Sequence, residues 1–285
     1  MKKLIFLLFI ISLRIAAIDM YICTCADDYF FPQLLNFIGS LHKVNFNEIK
    51  EIAVFNLGFK DGQVEHLDSI QKVKVYEVEK VHPDILTYFE KGPSDKKQVR
   101  GLYSWKPVAI KQALDMFPYV LYSDAGVVIL KPLNNLFKHI VQNGYFLITS
   151  PHDIKFMCPE HVIETFDLGS EERKWILSPK TDGLSAGFQG LSRELYDTYV
   201  YPMYTLAHDI NNFVDDGTAQ RVGRHDQVLF SITARLLGLE IDNWKRAQYR
   251  INDKKIRFRM KDGLVKFWAR EKKWNKMKKY IKYKN

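Results

Sequence analysis

Residues 117–130 read FPYVLYSDAGVVIL. Tyr119–Ser123 is a short apolar run rich in strand formers, bounded by Pro118 on one side and Asp124-Ala125-Gly126 on the other. Such a run reads as a strand buried on both faces, and here it ends in a carboxylate. Upstream, Pro107 opens a helix running to Met116, because proline's fixed φ and missing N–H suit the first helical turn. Further back, Met20–Thr24 is a strand, followed by the acidic turn Asp27–Asp28 and a helical pattern through Leu34, Leu35, Phe37, Ile38 and Leu41. Ile52–Asn56 and Val73–Val78 are two more strands, with a short helix at Val64–Ile70 between them. His82 to Arg100 is polar and holds Pro83, Gly92 and Pro93, which predicts a long loop. Strand and helix alternating at this spacing predict an α/β fold with a mostly parallel sheet and helices on both faces. Ligands bind such sheets beyond the carboxyl ends of the strands. Asp27–Asp28 and Asp124 are therefore where chemistry is expected.

Hydrophobic residues make up 47% and charged residues 26% of the 285, which excludes a disordered, collagen-like or coiled-coil chain. Three cysteines are too few, and odd in number, for a disulfide scaffold. Cys23 and Cys25 share a strand face without being able to bond each other; free buried thiols are the expectation, and pairing of either with Cys158 is the alternative. The chain has no Gly-x-Gly-x-x-Gly, no Walker loop, no Gly-x-Ser-x-Gly elbow and no zinc-site spacing. Dinucleotide binding, an ATP phosphate cradle, an α/β-hydrolase and a zinc centre therefore lack support.

The charge is uneven. From Trp244 to Asn285 there are 17 Lys and Arg against 3 Asp and Glu, whereas the whole chain carries only +9. The tail reads either as a solvated terminal helix or as an electrostatic tether to an anionic surface. On a helical wheel Leu264, Phe267, Trp268, Trp274 and Ile281 share an arc of about 140° flanked by basic residues, interrupted by Glu271 and Lys278. That pattern points to peripheral membrane contact rather than to nucleic acid. At the other end, Lys2 and Lys3 precede the apolar run Leu4–Leu13 and the small pair Ala16–Ala17, the layout of a secretory signal peptide. A short uncleaved anchor and a buried first strand are the alternatives. The expected organisation is a signal peptide or anchor over 1–17, one catalytic domain over 18–243 and a basic, aromatic-rich tail over 244–285. The expected location is the secretory pathway (the lumen of the endoplasmic reticulum or Golgi) or the exterior, with membrane association through the tail.

Four blocks, in order, resemble the GT-A class of nucleotide-sugar glycosyltransferases, above all the glycogenin and lipopolysaccharide galactosyltransferase group. They are TCADDYF (24–30), YSWKPVAIKQAL with YVLYSDAGVVIL (103–114 and 119–130), DGLSAGFQGLSREL (182–195) and RHDQVLFSITARLLGL (224–239). The resemblance implies a GT-A-like (Rossmann-like) single catalytic domain that transfers a hexose from a UDP-sugar to a glycan, protein or lipid hydroxyl, with retention at the anomeric carbon. It places Asp27 on the base N–H, with Tyr29 or Phe30 stacked on the base and Asp28 also in the donor site; the alternative is an Asp pair capping the following helix. Gly187 with Ser185 and Ala186 lets the sugar sit against backbone, and Asp182 is a further sugar contact; the alternative is an ordinary turn and strand. Asp226 and Gln227, at a helix amino end, approach the anomeric carbon as the catalytic pair, unless Asp226 is simply an N-cap.

The family's Asp-x-Asp holds Mn²⁺ across the donor diphosphate, since hard cations take oxygen ligands. Here the triplet is Asp124-Ala125-Gly126, so the second carboxylate is absent, and no histidine lies beyond His225. Asp124 and His225 are the remaining candidate ligands for a divalent metal. Otherwise cations replace the ion, from Lys106 or from Arg257, Arg259 and Lys261, or the domain has lost catalysis. A non-catalytic membrane or nucleic-acid binder would rest on the basic tail alone.

Overall fold

The computed structural model describes residues 18–179, 181–220, 225–269 and 272–284, so the signal-peptide reading of 1–17 falls outside the described residues. Its strands are β1 (Met20–Ala26), β2 (Ile49–Asn56), β3 (Val73–Glu77), β4 (Tyr88–Gly92), β5 (Asp95–Arg100), β6 (Tyr119–Ser123), β7 (Val128–Ile129), β8 (Tyr145–Asp153), β9 (Asp182–Ser192), β10 (Arg246–Ile251), β11 (Lys254–Arg259) and β12 (Val265–Lys266). Its α-helices are α1 (Phe31–Asn45), α2 (Gln63–Asp68), α3 (Trp105–Met116), α4 (Asn134–Asn143), α5 (Ile154–Met157), α6 (Glu160–Glu164), α7 (Ser170–Ile176), α8 (Tyr201–Leu206) and α9 (His225–Leu236).

The central sheet has the order β3-β2-β1-β6-β9-β8. Strands β3, β2, β1 and β6 are parallel neighbours, while β9 runs antiparallel to both β6 and β8. The period of two in β1 divides the core. Cys23 and Cys25 join the layer under α3 and α9, whereas Met20, Ile22 and Ala26 join the layer under α1 and α4. All three cysteines are free and buried, and burial pushes the Cys158 thiol up to about 12. No helix among the described residues is long and apolar enough to cross a membrane.

Two stretches depart from the sequence reading. His82–Arg100 is not a loop throughout, because β4 and β5 pair as an antiparallel hairpin within it. Among its described residues the tail forms no continuous amphipathic helix. It makes the β10–β11 hairpin, then β12 pairs with β7, and a 3₁₀ segment over Lys272–Tyr280 packs on α1. Leu264, placed on the helical arc, is instead buried in the core beside Met260 and Val265. Gly39 of α1 allows this approach, since a Cβ there would lie 2.1 Å from the Met277 carbonyl oxygen.

The end of the tail is tied down by His42 on α1. Its Nδ1 accepts the Lys282 amide at 3.0 Å, and the ring is 3% exposed. Burial drives its pKa from 6.5 down to about 4. A depressed histidine contributes stability that is whole above about pH 6.5, is lost as pH falls, and levels off near pH 4. The shift corresponds to something on the order of 3 kcal/mol. The expected outcome is a melting temperature that drops between pH 6.5 and 4 in the wild type and drops less in His42→Gln, read by thermal denaturation across that range.

Candidate functional site

Three carboxyl-end features of the sheet converge: the turn after β6, the first turn of α3 and the amino end of α9. Asp124 leaves β6 two residues after Tyr122, so both side chains project from one face. The Tyr122 hydroxyl donates to Asp124 Oδ1 at 2.9 Å. The Asp124 amide donates to the Gly187 carbonyl at 3.0 Å, which seats the turn on β9. Gly187 is needed there, because a Cβ would stand 2.4 Å from Asp124 Oδ2.

Lys106 comes from α3 and is buried, its ammonium 2.7 Å from Asp226 Oδ2 and 3.4 Å from Asp124 Oδ1. Tyr103, Trp105 and Tyr122 surround it, with ring centroids 5.6, 5.7 and 5.5 Å from Nζ. Burial alone would push the Lys106 pKa down, but the carboxylates of Asp124 and Asp226 outweigh it and hold the pKa above the ordinary lysine value. Lys106 is therefore a cation throughout the neutral range. The backbone leading into α3 is left-handed at Gly101, Leu102 and Tyr103, with φ of 48°, 48° and 69°. For the two non-glycine residues that conformation costs about 1–3 kcal/mol each. It carries Tyr103 beside both Lys106 and the His225 ring, the latter at 5.8 Å.

Asp226 is buried at the start of α9, where helix N–H groups and the macrodipole favour a carboxylate. Gln227, also buried, donates to Met157 Sδ at 3.3 Å. Ser231 fixes this helix to the sheet. Its hydroxyl donates to the Gln227 carbonyl and accepts the Leu184 amide of β9.

The predicted site thus divides. Lys106, Asp124, Gly187 and Asp226 meet, with Gln227 adjoining; Gly126 lies on the same turn with nothing within 4 Å of a Cβ built on it. Asp182, five residues before Gly187 on an extended strand, is roughly 16 Å from it and outside the group. Its carbonyl accepts Arg235 at 2.9 Å. Ser185 is half-buried and Ala186 buried on the intervening strand.

Asp27 has structural partners on both oxygens. Oδ1 caps the Phe30 amide at 3.0 Å, and Oδ2 takes the Tyr88 hydroxyl and Arg100 Nε, each at 3.3 Å. It ties the β4–β5 hairpin to the end of β1. Asp28 pairs with Lys60 at 2.7 Å, whose hydrogen bond lowers the carboxyl pKa. Tyr29 is exposed, edge-on to Phe30 at 5.0 Å.

The metal expected from Asp124 and His225 does not fit these residues. Asp124 Oδ1 is engaged by the Tyr122 hydroxyl and by the Lys106 ammonium, which stands between the two carboxylates where a bridging cation would sit. No hydrogen bond or ion pair among the described residues joins His225 to Asp124. No three His, Cys, Asp or Glu side chains are grouped to hold a metal among the described residues. Arg257, Arg259 and Lys261 line a separate cleft that shares no lining residue with this site.

Tyr122, Tyr103 and Ser231 were missed by sequence reasoning. The spacing of Tyr122 from Asp124 was the one available signal, because residues two apart on a strand share a face.

No family model matches the sequence, and no curated protein does. Solved structures do match. Core-mannan synthase A (CmsA/Ktr4) from Aspergillus fumigatus, in its Mn/GDP form, aligns over 86% of this chain and 77% of its own, with 13% identity and a TM-score of 0.51. The galactosyltransferase LgtC, in complex with donor and acceptor sugar analogues, aligns over 79% of this chain and 74% of its own, with 14% identity and a TM-score of 0.47. Mouse xyloside xylosyltransferase 1 aligns over 79% and 85%, with 14% identity and a TM-score of 0.46. Identities this low speak for architecture alone: a single α/β domain with a mostly parallel central sheet, the GT-A (Rossmann-like) fold.

Proposed function

We propose that this protein is a retaining glycosyltransferase that moves a hexose from a UDP-sugar to a glycan, protein or lipid hydroxyl. The observation that carries the reading is the buried Lys106 ammonium clamped between Asp226 and Asp124 at the carboxyl end of the sheet, where α/β sheets bind ligands. Burying Lys106 and Asp226 is costly unless the two charges pair, and the pair stands beside the half-exposed Asp124 rather than in the apolar core.

Its chemistry suits a glycosyl donor. One lysine and two carboxylates leave an excess of negative charge, matched to the positive charge that grows at the anomeric carbon as the glycosidic bond breaks. Asp226 is the carboxylate that faces that carbon, with Gln227 beside it to hydrogen-bond the sugar. Lys106 holds Asp226 in place, its ammonium 2.7 Å from the carboxylate. Asp124, its side chain about half exposed, meets the donor's ribose from the other side of the ammonium. Gly126, with nothing within 4 Å of a Cβ built on it, leaves room for the donor to lie against backbone. The departing diphosphate is met by the amino end of α9.

The test is release of UDP from a panel of UDP-sugars, with Mn²⁺ or with a chelator. Turnover of one donor that persists in chelator is the expected result. Turnover that stops in chelator would return a metal to the site while keeping the enzyme. Absence of both turnover and UDP binding would remove the glycosyltransferase reading.

A further inference from the structure

The β10–β11 hairpin sorts its side chains by the period of two. Ala247, Tyr249 and Phe258 face the core, where Tyr249 and Phe258 stack at 4.0 Å and Phe258 meets Phe146 at 6.2 Å. The opposite face carries the cross-strand pairs Arg246–Arg259, Gln248–Arg257 and Arg250–Lys255. Two of those three pairs oppose like charges, an arrangement that destabilises a hairpin. Arg250 is relieved by Glu240. Arg246, Lys255, Arg257 and Arg259 form no ion pair among the described residues.

At the root of this face opens a cleft of about 1000 Å³, lined by Lys245, Arg246, Arg257, Arg259 and Lys261 against two carboxylates. Asp262 is already neutralised by Lys266 at 3.0 Å, and Asp242 is partly buried and accepts the Gln248 amide at 3.1 Å. The Lys261 ammonium also stands 4.5 Å from the Trp244 ring. Five cations thus converge on a concave space that holds two carboxylates, one of them, Asp262, already paired with Lys266.

We propose that this cleft is a second ligand site, distinct from the donor site, which binds phosphoryl groups. Arginine forks match phosphate oxygens two at a time, and converging lysines supply further charge. A phosphate-bearing soluble molecule and the headgroup of an anionic phospholipid offer the same chemistry. The proposal does not depend on the glycosyltransferase reading.

Inorganic pyrophosphate is the first probe, titrated calorimetrically into the full chain. Binding that weakens with salt is expected, and Arg246→Glu/Arg257→Glu is expected to lose at least about tenfold in affinity, the worth of one charge-assisted hydrogen bond. Both arginines are exposed, and Arg246→Glu places an acid opposite Arg259, so the melting temperature should hold or rise. Sedimentation with vesicles of phosphatidylglycerol, against vesicles of phosphatidylcholine alone, separates the sources. Vesicle binding that pyrophosphate displaces assigns a lipid headgroup; pyrophosphate binding without vesicle binding assigns a soluble phosphate. Unchanged affinity in the double variant overturns the proposal, as does failure of the wild type to bind either probe.

Discussion

Lys106→Met is expected to melt roughly 10 °C below the wild type and to lose donor turnover altogether. The side chain is fully enclosed and holds Asp226 at 2.7 Å. Methionine keeps most of the volume but leaves a buried carboxylate without its partner, which costs about 3–5 kcal/mol. In a chain of this size each kcal/mol moves the midpoint by about 2–4 °C. Asp124 contributes less of that loss, because its side chain is 47% exposed and water meets its charge. The second variant decides how the effect arises. Lys106→Met/Asp226→Asn removes both buried charges and should recover most of the lost stability, a non-additivity expected of residues in one network. Turnover should stay absent in the double variant, since the carboxylate proposed to face the anomeric carbon is gone. Recovery of turnover together with stability would mean that Lys106 and Asp226 serve the fold and that the chemistry lies elsewhere.

Much of this site stood in the sequence as parts without an assembly. The apolar runs of β1, β2, β3 and β6 were legible because strands buried on both faces must be apolar throughout. The carboxylates at their ends then followed from where such sheets bind ligands. Asp226 and Gln227 were legible for a related reason: the helical pattern of Val228, Leu229 and Ile232 starts immediately after them. What no local pattern reveals is that Lys106 reaches Asp226, 120 residues further along the chain, because that contact depends on α3 and α9 flanking the same sheet edge. Nor does local pattern show that Asp27 is engaged by Tyr88 and Arg100, since it hides in a hairpin whose Gly92-Pro93 punctuation reads as loop. The tail misled in a more specific way. Its aromatics fit a helical arc, but Ala247, Tyr249, Ile256 and Phe258 also fit a period of two, and the cations at alternate positions masked that signal.

Gly187→Ala is expected to cut donor turnover by about a hundredfold while lowering stability by only about 1–2 kcal/mol. The substitution adds a single methyl group, and the backbone there has no left-handed φ to forbid it. The added Cβ would lie 2.4 Å from Asp124 Oδ2 and 2.9 Å from its Cγ, both of which are nearer than atoms can stand. The carboxylate is the softer party, being a side chain with one half-exposed face, so it swings away while β9 stays in register with β6. That swing breaks the 2.9 Å bond from Tyr122 and lengthens the 3.4 Å pair with Lys106. The ammonium then belongs to Asp226 alone, and the ribose side of the donor site loses its acceptor. Gly126→Ala supplies the control for stability, because nothing lies within 4 Å of a Cβ at that position, and its melting temperature should match the wild type. The measurement is turnover of the preferred UDP-sugar beside a thermal melt for each variant. A Gly187→Ala protein that melts slightly early and still turns over at the wild-type rate would place the donor away from Asp124. A large loss of stability would instead mean that β9 has moved, and that Gly187 is small for the sake of the sheet.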